Sequence, residues 1–433
     1  MKRIALVFLL ILCSAGICLA QGYEEAIRQD PHRTDGAFYV YDNSSLPALT
    51  PVPAGYKPFY ISHFARHGAR CCTNEYDSVR VWFSKAAKAG VLTDAGKDFH
   101  SRYEQFFQKV RYREGNLTEV GKAQHRSIAA NMYKRFPQVF KGRTHVEAVS
   151  TESARVIMSM WSCLSGLRSL DKSIDIVADA SGQYSPWLQP TLTANPYYIR
   201  GSIRIGRKGE EQLSEYFRQI VPWEGILRRF FTSPDVVKDI LHTEPEQLVR
   251  YLHAVVAGTR CLEEDQGCFD DVFTPEEMFL VWKVASARTF MLTANYDGGE
   301  SMCPNYAGFT LEQIIESADA DIASGGTQLR LRFGHDSGIL PLLAMLDADG
   351  YGRTASTPEE AVEIFPNYEV PMGCSVQFVF YRKPGKDILV KVLLNEREVS
   401  LPLEPVQGPC YKWEEFKAHY RPIIQAAKNR VIQ

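Results

Sequence analysis

Three segments of the chain share one pattern, an apolar strand that runs into a polar cluster and then into a helix. They begin with "YKPFYISHF" (56–64), "HVEAVST" (145–151) and "TQLRLRFGH" (327–335). Strand, turn and helix repeated in this order favour an α/β fold with a parallel sheet. In such sheets ligands bind beyond the carboxyl ends of the strands. The polar clusters are therefore expected to form one site.

The stretch between the second and third units differs in character. It starts with a Pro- and Gly-bearing segment, "SPWLQPTLTANPYYIRGSIRIGRKG", and continues as three segments with helical periodicity, near 209–219, 245–258 and 275–293. Two more strands, "CSVQFVFYRK" and "ILVKVLLN", follow the third unit. We predict a central, mainly parallel sheet flanked by helices in residues 21–175 plus 321–433. A mainly helical cap at 176–320 interrupts it.

The first 20 residues, "MKRIALVFLLILCSAGICLA", have a basic start, an apolar core and small residues at the end, which is typical of a secretory signal peptide. No later apolar run is long enough to span a bilayer. We therefore expect an exported protein, periplasmic or extracellular. The formal net charge is −2 and becomes more negative when Lys2 and Arg3 leave with the signal, which argues against a nucleic-acid partner.

Eight cysteines follow the predicted signal peptide, and in an oxidising compartment some of them should pair. Cys261 and Cys268 bracket the short loop "CLEEDQGC" and are the first expected disulfide, with Cys374 and Cys410 a second. The cysteine spacings match no zinc site. We expect neither a metal nor a cofactor.

The polar clusters at the three strand ends define the candidate site. They contribute Arg66, His67 and Arg70, then Arg155, then His335 and Asp336. Planar guanidinium groups match the oxygens of a tetrahedral phosphate. The expected ligand is therefore the phosphate group of a small-molecule ester.

His67 and Asp336 have the side chains that phosphate transfer requires. A neutral His67 could attack phosphorus and form a phosphohistidine, while Asp336 protonates the departing oxygen and later accepts a proton from water. Gly68 is expected to let the backbone turn tightly at this point. The arginines would neutralise the developing charge without a metal.

Two motifs carry a family resemblance. "SHFARHGAR" (62–70) resembles the Arg-His-Gly-x-Arg signature of the histidine acid phosphatases, the phytase-like branch of the histidine phosphatase superfamily, and "FGHDSG" is similar to their His-Asp motif. The stretches "GNLTEVG" and "STESARVIMSMWSCLSGL" also resemble family landmarks. The resemblance implies a phosphoglycerate mutase-like fold, His67 as nucleophile and Asp336 as proton donor. It also implies a phosphate clamp of Arg66, Arg70, Arg155 and His335.

The sequence holds two signals about the substrate. The flanks of "RFGHDSGILPLLAML" are similar to the multiple inositol polyphosphate phosphatases, although those proteins carry His-Ala-Glu where this chain has His-Asp. A basic cluster could hold further phosphates of an inositol polyphosphate such as phytate; it comprises Arg200, Arg204, Arg207 and Lys208. A solvated basic loop is an equally good interpretation of this cluster.

The other histidines and cysteines do not indicate a second catalytic or metal site. On a strand, His63 and His67 would lie roughly 13 Å apart, so a shared metal is disfavoured and His63 is assigned to the core or to a supporting position. Cys163 and Arg168 lack the spacing of a cysteine-based phosphatase. The remaining histidines on predicted helices, His100, His125 and His242, are expected at the surface.

Two other functions remain open at this stage. A phosphomutase or phosphotransferase of the same superfamily would also use a phosphohistidine, but the secretory signal disfavours it. An exported protein that binds organic phosphates without cleaving them would not need His67 and Asp336. The sequence therefore predicts a phosphomonoesterase with a broad or inositol phosphate substrate range.

Overall fold

A computed structural model describes residues 22–189 and 203–432. The predicted signal peptide and Arg200 lie outside the described residues. One eight-stranded sheet forms the centre of the fold. Its strands are β1 (Lys57–Arg66), β2 (His145–Ser150), β3 (Asp175–Ala180), β4 (Leu329–Gly334), β5 (Ser375–Arg382), β6 (Leu389–Leu394), β7 (Arg397–Glu398) and β8 (Tyr411–Lys412).

The strand order is β3-β2-β4-β1-β5-β6-β7, with β8 paired to β6. β3, β2, β4 and β1 are parallel, while β5 and the strands beyond it are antiparallel. The three strands predicted to end in polar clusters are thus direct parallel neighbours, in the order β2-β4-β1. This confirms the expected α/β class with its parallel centre.

Helices cover both faces of the sheet. They are α1 (Gly22–Gln29), α2 (Asn74–Ala89), α3 (Asp94–Val110), α4 (Glu119–Arg135), α5 (Ala154–Leu170), α6 (Ser185–Leu188), α7 (Arg207–Ile220), α8 (Trp223–Phe230), α9 (Val236–Asp239), α10 (Pro245–Thr259), α11 (Pro275–Thr293), α12 (Cys303–Ser324), α13 (Asp336–Leu346), α14 (Pro358–Ile364) and α15 (Trp413–Ile432).

Strand β1 is buried on both faces because its alternate side chains enter two different cores. Ile61 and Ala65 pack with apolar residues of α4 and α5, whereas Tyr60 and Phe64 pack with those of α12, α13 and α15. A strand with two covered faces reads as a nearly continuous apolar run, as "FYISHF" does. The end of β1 is therefore held rigidly inside the molecule.

Between β3 and β4 the described residues form helices and no strand, as predicted for this part of the chain. The three predicted helical segments correspond to α7, α10 and α11. Helices of the insertion pack against helices that precede it in the chain. Helix α8 packs against α3, and α10 packs against α2. The division into a catalytic domain and a cap stays a prediction.

A short 3₁₀ segment, Pro31–Phe38, packs against α10 and α11 and reaches toward the end of β1. Asp30 caps its start, and Gly36 adopts a φ of 60°, which most residues avoid. A side chain at Gly36 would also collide with Asn367, whose Oδ1 lies 2.8 Å from the ideal Cβ position. This segment contributes to both sites described below.

All eight cysteines in the described residues are free thiols, so the structure contains neither of the two predicted disulfides. Cys261 instead lies beside Ala69 and Met372 in a small apolar cluster, and its Sγ is 3.5 Å from the carbonyl of Phe38. Cys374 and Cys410 are buried in different apolar clusters. Among the described helices, none has the length and apolar character to cross a membrane.

Candidate active site

The candidate site lies where β1 and β4 end side by side. In the parallel register Arg66 is paired with Gly334, so the next residues, His67 and His335, leave the sheet together. The amide of His67 donates to the carbonyl of Gly334 at 3.0 Å, which extends the pairing by one residue. The two histidine rings stand nearly perpendicular, at 75°, with centroids 5.6 Å apart. The sheet register therefore sets the distance between the two motifs.

His67 is 3% exposed and is held with one ring nitrogen free. Its Nδ1 lies 3.0 Å from the carbonyl oxygen of Gly68. Since a carbonyl can only accept, the proton belongs on Nδ1 and the lone pair on Nε2. Burial lowers the pKa of His67 well below its usual value, and Arg66 and Arg70 lower it further. The imidazole is therefore neutral, with a basic nitrogen directed away from its own backbone.

Gly68 is required for close packing against helix α4. An ideal Cβ at Gly68 would lie 2.4 Å from the carbonyl oxygen of Gly121, and one at Gly121 would lie 2.3 Å from that of Ala69. The two glycines let a loop and a helix backbone touch. Gly68 is not among the glycines with positive φ, so its backbone conformation does not by itself require a glycine. Close approach, rather than unusual backbone conformation, explains the glycine.

Two polar side chains that sequence reasoning missed fix this loop. The amide of Gly68 donates to Ser159 Oγ at 3.1 Å, and the amide of Ala69 donates to Gln124 Oε1 at 2.8 Å. Gln124 in turn donates to the carbonyl of Met372. Both residues lie in or just after stretches noted as family landmarks, so those stretches held the only signal for them.

Arg66 is the most deeply buried cation of the site, at 1% exposure. Its Nη1 donates to two backbone carbonyls, those of Ala37 at 2.7 Å and Val370 at 2.8 Å. Its Nη2 forms an ion pair with Asp336 Oδ2 at 2.9 Å. The guanidinium is thus fixed in orientation and linked directly to the predicted proton donor.

Arg70 and Arg155 complete a group of three guanidiniums. Arg70 donates to the carbonyl of Cys71 and stacks over the ring of Phe38, with 5.3 Å from Cζ to the ring centroid. Burial lowers the pKa of Arg155 to about 10, and repulsion from Arg70 and Arg66 contributes to that shift. The Nε atoms of all three arginines are buried and lack a hydrogen-bond partner within the described residues. Unpaired cationic donors of this kind provide a binding site for an anion.

His335 and Asp336 face this group from the end of β4. Burial, followed by the charge of Arg155, lowers the pKa of His335 to about 4, so it is neutral above that pH. Its Nε2 is 3.4 Å from Thr151 Oγ1. Burial raises the pKa of Asp336, but Arg66 and His335 outweigh this and leave the pKa below its usual value. The Asp336 side chain is 45% exposed, so a substrate can reach it.

The structure brings together all six residues predicted for the site, whereas the described residues of the basic cluster have other partners or are exposed. Arg204 is exposed and forms an ion pair with Glu300 at 2.6 Å, while Arg207 is exposed and lies 3.7 Å from Glu211. Lys208 is exposed next to Gly298. Among the described residues, no hydrogen bond or ion pair joins these three side chains to the six.

Two buried histidines lie beneath the site. His63 is fully buried, as expected for a core residue, and burial lowers its pKa to about 3. His125 is also fully buried, which contradicts the predicted surface position, and its pKa falls to about 4 for the same reason. Both rings pack against Phe333, with centroids 6.0 Å and 5.6 Å away. Both act as apolar packing groups.

A known family model matches part of the chain. The sequence model of the histidine phosphatase superfamily (branch 2) matches residues 63–196, a range that contains the Arg-His-Gly motif, Ser159 and Arg155. The match does not extend to the second motif at His335 and Asp336. Over the residues it covers, it agrees with the family resemblance predicted from the sequence.

Solved structures agree in fold over nearly the whole chain. The multiple inositol polyphosphate phosphatase of Bifidobacterium longum, in complex with inositol hexasulfate, is 20% identical, covers 89% of this chain and 97% of its own, and gives a TM-score of 0.73. The phytase from D. castellii is 16% identical, with 90% and 84% covered and a TM-score of 0.67. The Hafnia alvei phytase in complex with myo-inositol hexakis sulphate is 12% identical, with 87% and 98% covered and a TM-score of 0.53.

Replacing Gly68 by alanine tests the contact between the loop and α4. We expect Gly68→Ala to lower the free energy of unfolding by about 1–3 kcal/mol, a typical cost of overpacking, and to reduce phosphatase activity because His67 is the adjacent residue. The control is Gly225→Ala, since an added Cβ there meets no atom within 4 Å. Urea unfolding of both variants gives the comparison. Equal stability of the two variants would contradict the proposed role of the contact.

Proposed function

We propose that the protein is an exported phosphomonoesterase that hydrolyses phosphate esters through a phosphohistidine on His67. The observation that carries the proposal is the neutral, Nδ1-protonated imidazole beside three guanidiniums with unpaired donors. A phosphoryl group bound by Arg66, Arg70 and Arg155 would lie next to the free Nε2. Export rests on the predicted signal peptide alone.

In the first step the Nε2 lone pair attacks phosphorus, and the new P–N bond forms as the bond to the ester oxygen breaks. The leaving oxygen takes the proton of Asp336, so that the alcohol departs neutral. In the second step water attacks phosphorus and gives its proton to the Asp336 carboxylate, while the P–N bond breaks. Inorganic phosphate and the starting enzyme are regenerated.

A bound substrate would favour the protonated form of Asp336 that the first step requires. In the free enzyme Arg66 and His335 hold its pKa below the usual value. A phosphate dianion in the clamp would offset the arginine charge and repel a second negative charge nearby, which raises the pKa of the carboxyl. The active form would then be populated at acidic pH. Burial, the main cause of the depressed pKa of His67, would persist with the substrate bound and would still favour the neutral imidazole.

We further propose inositol polyphosphates as substrates. The similarity to an inositol polyphosphate phosphatase and to phytases supports this class. Arg204, Arg207 and Lys208 are candidates to hold additional phosphates, and Arg200 belongs to the same basic cluster. In the free protein Arg204 and Arg207 are engaged by Glu300 and Glu211, so a substrate phosphate would have to displace those exposed carboxylates. Exposed ion pairs are worth little, typically 0–1 kcal/mol, and such an exchange is therefore feasible.

Removal of the nucleophile provides the first test. We expect His67→Ala to lower kcat by about a thousandfold or more, as for other residues that act as the covalent centre. It should also abolish a labelled phosphoenzyme that survives alkali and is lost in acid, the stability expected of a P–N bond. The control is His242→Asn, which removes an exposed imidazole at a φ of 56°, a conformation that asparagine tolerates. A phosphoenzyme that persists in His67→Ala would rule out this nucleophile.

The role of Asp336 as proton donor can be tested by comparing substrates whose leaving groups differ in their need for a proton. We expect Asp336→Asn to reduce kcat for an alkyl phosphate by about 10²–10⁴-fold, the usual contribution of a general acid. The loss for p-nitrophenyl phosphate should be far smaller, because nitrophenolate departs without a proton. In the wild-type enzyme kcat should decrease with rising pH as Asp336 loses its proton. In Asp336→Asn this decrease should be absent from the pH profile. Equal losses with both substrates would argue against proton donation.

The substrate class is tested by comparing two exposed arginines. Arg204 and Arg218 both have 64% of the side chain exposed, and both pair with a glutamate. We expect Arg204→Gln to raise KM for phytate several-fold and to leave KM for p-nitrophenyl phosphate unchanged, whereas Arg218→Gln should change neither. If Arg204→Gln leaves KM for phytate unaltered, the basic cluster has no part in binding it.

Adding an acceptor alcohol to the same assay shows whether phosphate is transferred rather than released.

A further inference from the structure

A second cavity lies away from the phosphate clamp. It has a volume of about 610 Å³ and opens between α1, the 3₁₀ segment and the helices α10 and α11. Cavities of roughly 300–1,000 Å³ are the usual size for small-molecule sites. Much of its wall is apolar, formed by Ile27, Val256, Phe273, Met278 and Phe279.

One carboxyl group in this wall has no partner that satisfies it. Asp35 is 4% exposed, and its carboxylate accepts no hydrogen bond from any described residue. Within 4.0 Å it has a single cationic neighbour, His32 Nδ1 at 3.9 Å, beyond hydrogen-bond distance. Burial of an ionised carboxyl without a partner is strongly unfavourable. Such a carboxyl group is stabilised either by taking up a proton or by accepting a hydrogen bond from a bound ligand.

The nearby arginine does not supply the missing donor. Arg260 also lines the cavity, but its guanidinium forms an ion pair with Asp270. Burial therefore raises the pKa of Asp35 well above its usual value, and Arg260 offsets this only in part. The cavity thus contains an acceptor that the fold itself leaves open.

The charge of the residues that line the cavity disfavours a phosphate ester, the ligand proposed for the active site. Four carboxyl groups face two guanidiniums around the cavity, namely Glu24, Asp35, Asp270 and Glu276 against Arg28 and Arg260. The resulting field repels a phosphate ester and attracts a cation. Apolar walls and a buried acceptor together suit a molecule with a protonated amine at one end and a hydrocarbon or aromatic body.

We propose that this cavity binds a small organic cation, whose ammonium group donates to Asp35 and whose apolar body packs against Phe273, Met278 and Phe279. The site is separate from the phosphate clamp in position and opposite to it in charge. Its occupant is therefore neither the substrate nor the product of the phosphatase reaction. The two sites are connected through residues 35–37, since Asp35 lines the cavity and the carbonyl of Ala37 accepts a hydrogen bond from Arg66.

Calorimetric titration with 2-phenylethylammonium chloride tests the proposal, and 2-phenylethanol serves as the neutral comparison. We expect saturable binding of the ammonium compound to the wild-type protein and at least tenfold weaker binding of the alcohol, since hydrogen bonds to charged groups contribute about 1.5–3 kcal/mol. Asp35→Asn should lower the affinity for the ammonium compound by a similar factor. Equal affinity for amine and alcohol, or no binding of the amine, would overturn the proposal.

Two controls keep the test specific. Glu24→Gln removes the same charge from an exposed rim position and should change affinity by no more than about twofold. An equal loss in both variants would mean that a diffuse field, rather than Asp35, attracts the cation. Met278→Trp should fill the cavity and abolish binding while Asp35 remains. Asp35→Asn should melt at the same or a higher temperature than wild type, because it removes an unpaired charge; a lower Tm would show that the protein already satisfies this carboxyl.

Discussion

The concentration of positive charge at the end of β1 is the constraint on which the rest of the site depends. Three guanidiniums converge there, and a single carboxylate, that of Asp336, is ion-paired to them within the described residues. Buried charges without partners are costly. The fold tolerates them by giving Arg66 two backbone carbonyls and Arg70 a third carbonyl and an aromatic face. A bound dianion would remove the remaining imbalance.

The same charge explains why the imidazoles are suited to nucleophilic attack in acid. Burial is the main cause of the lowered pKa of His67 and of His335, and each nearby guanidinium acts in the same direction by making a second positive charge unfavourable. A histidine in water would be largely protonated at pH 5 and would lose its nucleophilic lone pair. In the proposed mechanism, the clamp that would bind the phosphate would also favour a free lone pair on the attacking nitrogen. Binding and activation would then share one contribution, the charge of the arginines.

The sequence predicted the parts of the site that depend on topology. Parallel strands place their ends at one edge, so Arg66, Arg155 and Asp336 could be grouped before any coordinates were known. What it could not predict depends on contacts between distant backbones. The contact of Gly68 with Gly121 joins a loop to a helix, and Ser159 and Gln124 act on backbone amides that no local pattern marks. His125 was misplaced because helical periodicity does not distinguish a polar ring packed on Phe333 from an exposed one. The prediction of two disulfides was also wrong, because the spacing of cysteines along the sequence does not show whether their thiols lie close together in the fold.

The N-terminal 3₁₀ segment connects two charge imbalances of opposite sign. On one side Ala37 and Phe38 support Arg66 and Arg70, and on the other Asp35 faces a cavity rich in carboxyl groups. Gly36 lies between these neighbours, and its φ of 60° introduces a kink into the segment. Within the described residues no ion pair joins Asp35 to Arg66 or Arg70, so the two imbalances are not offset against each other. In the two proposals the missing counter-ions come from solution, as a phosphate ester on one side and an organic cation on the other.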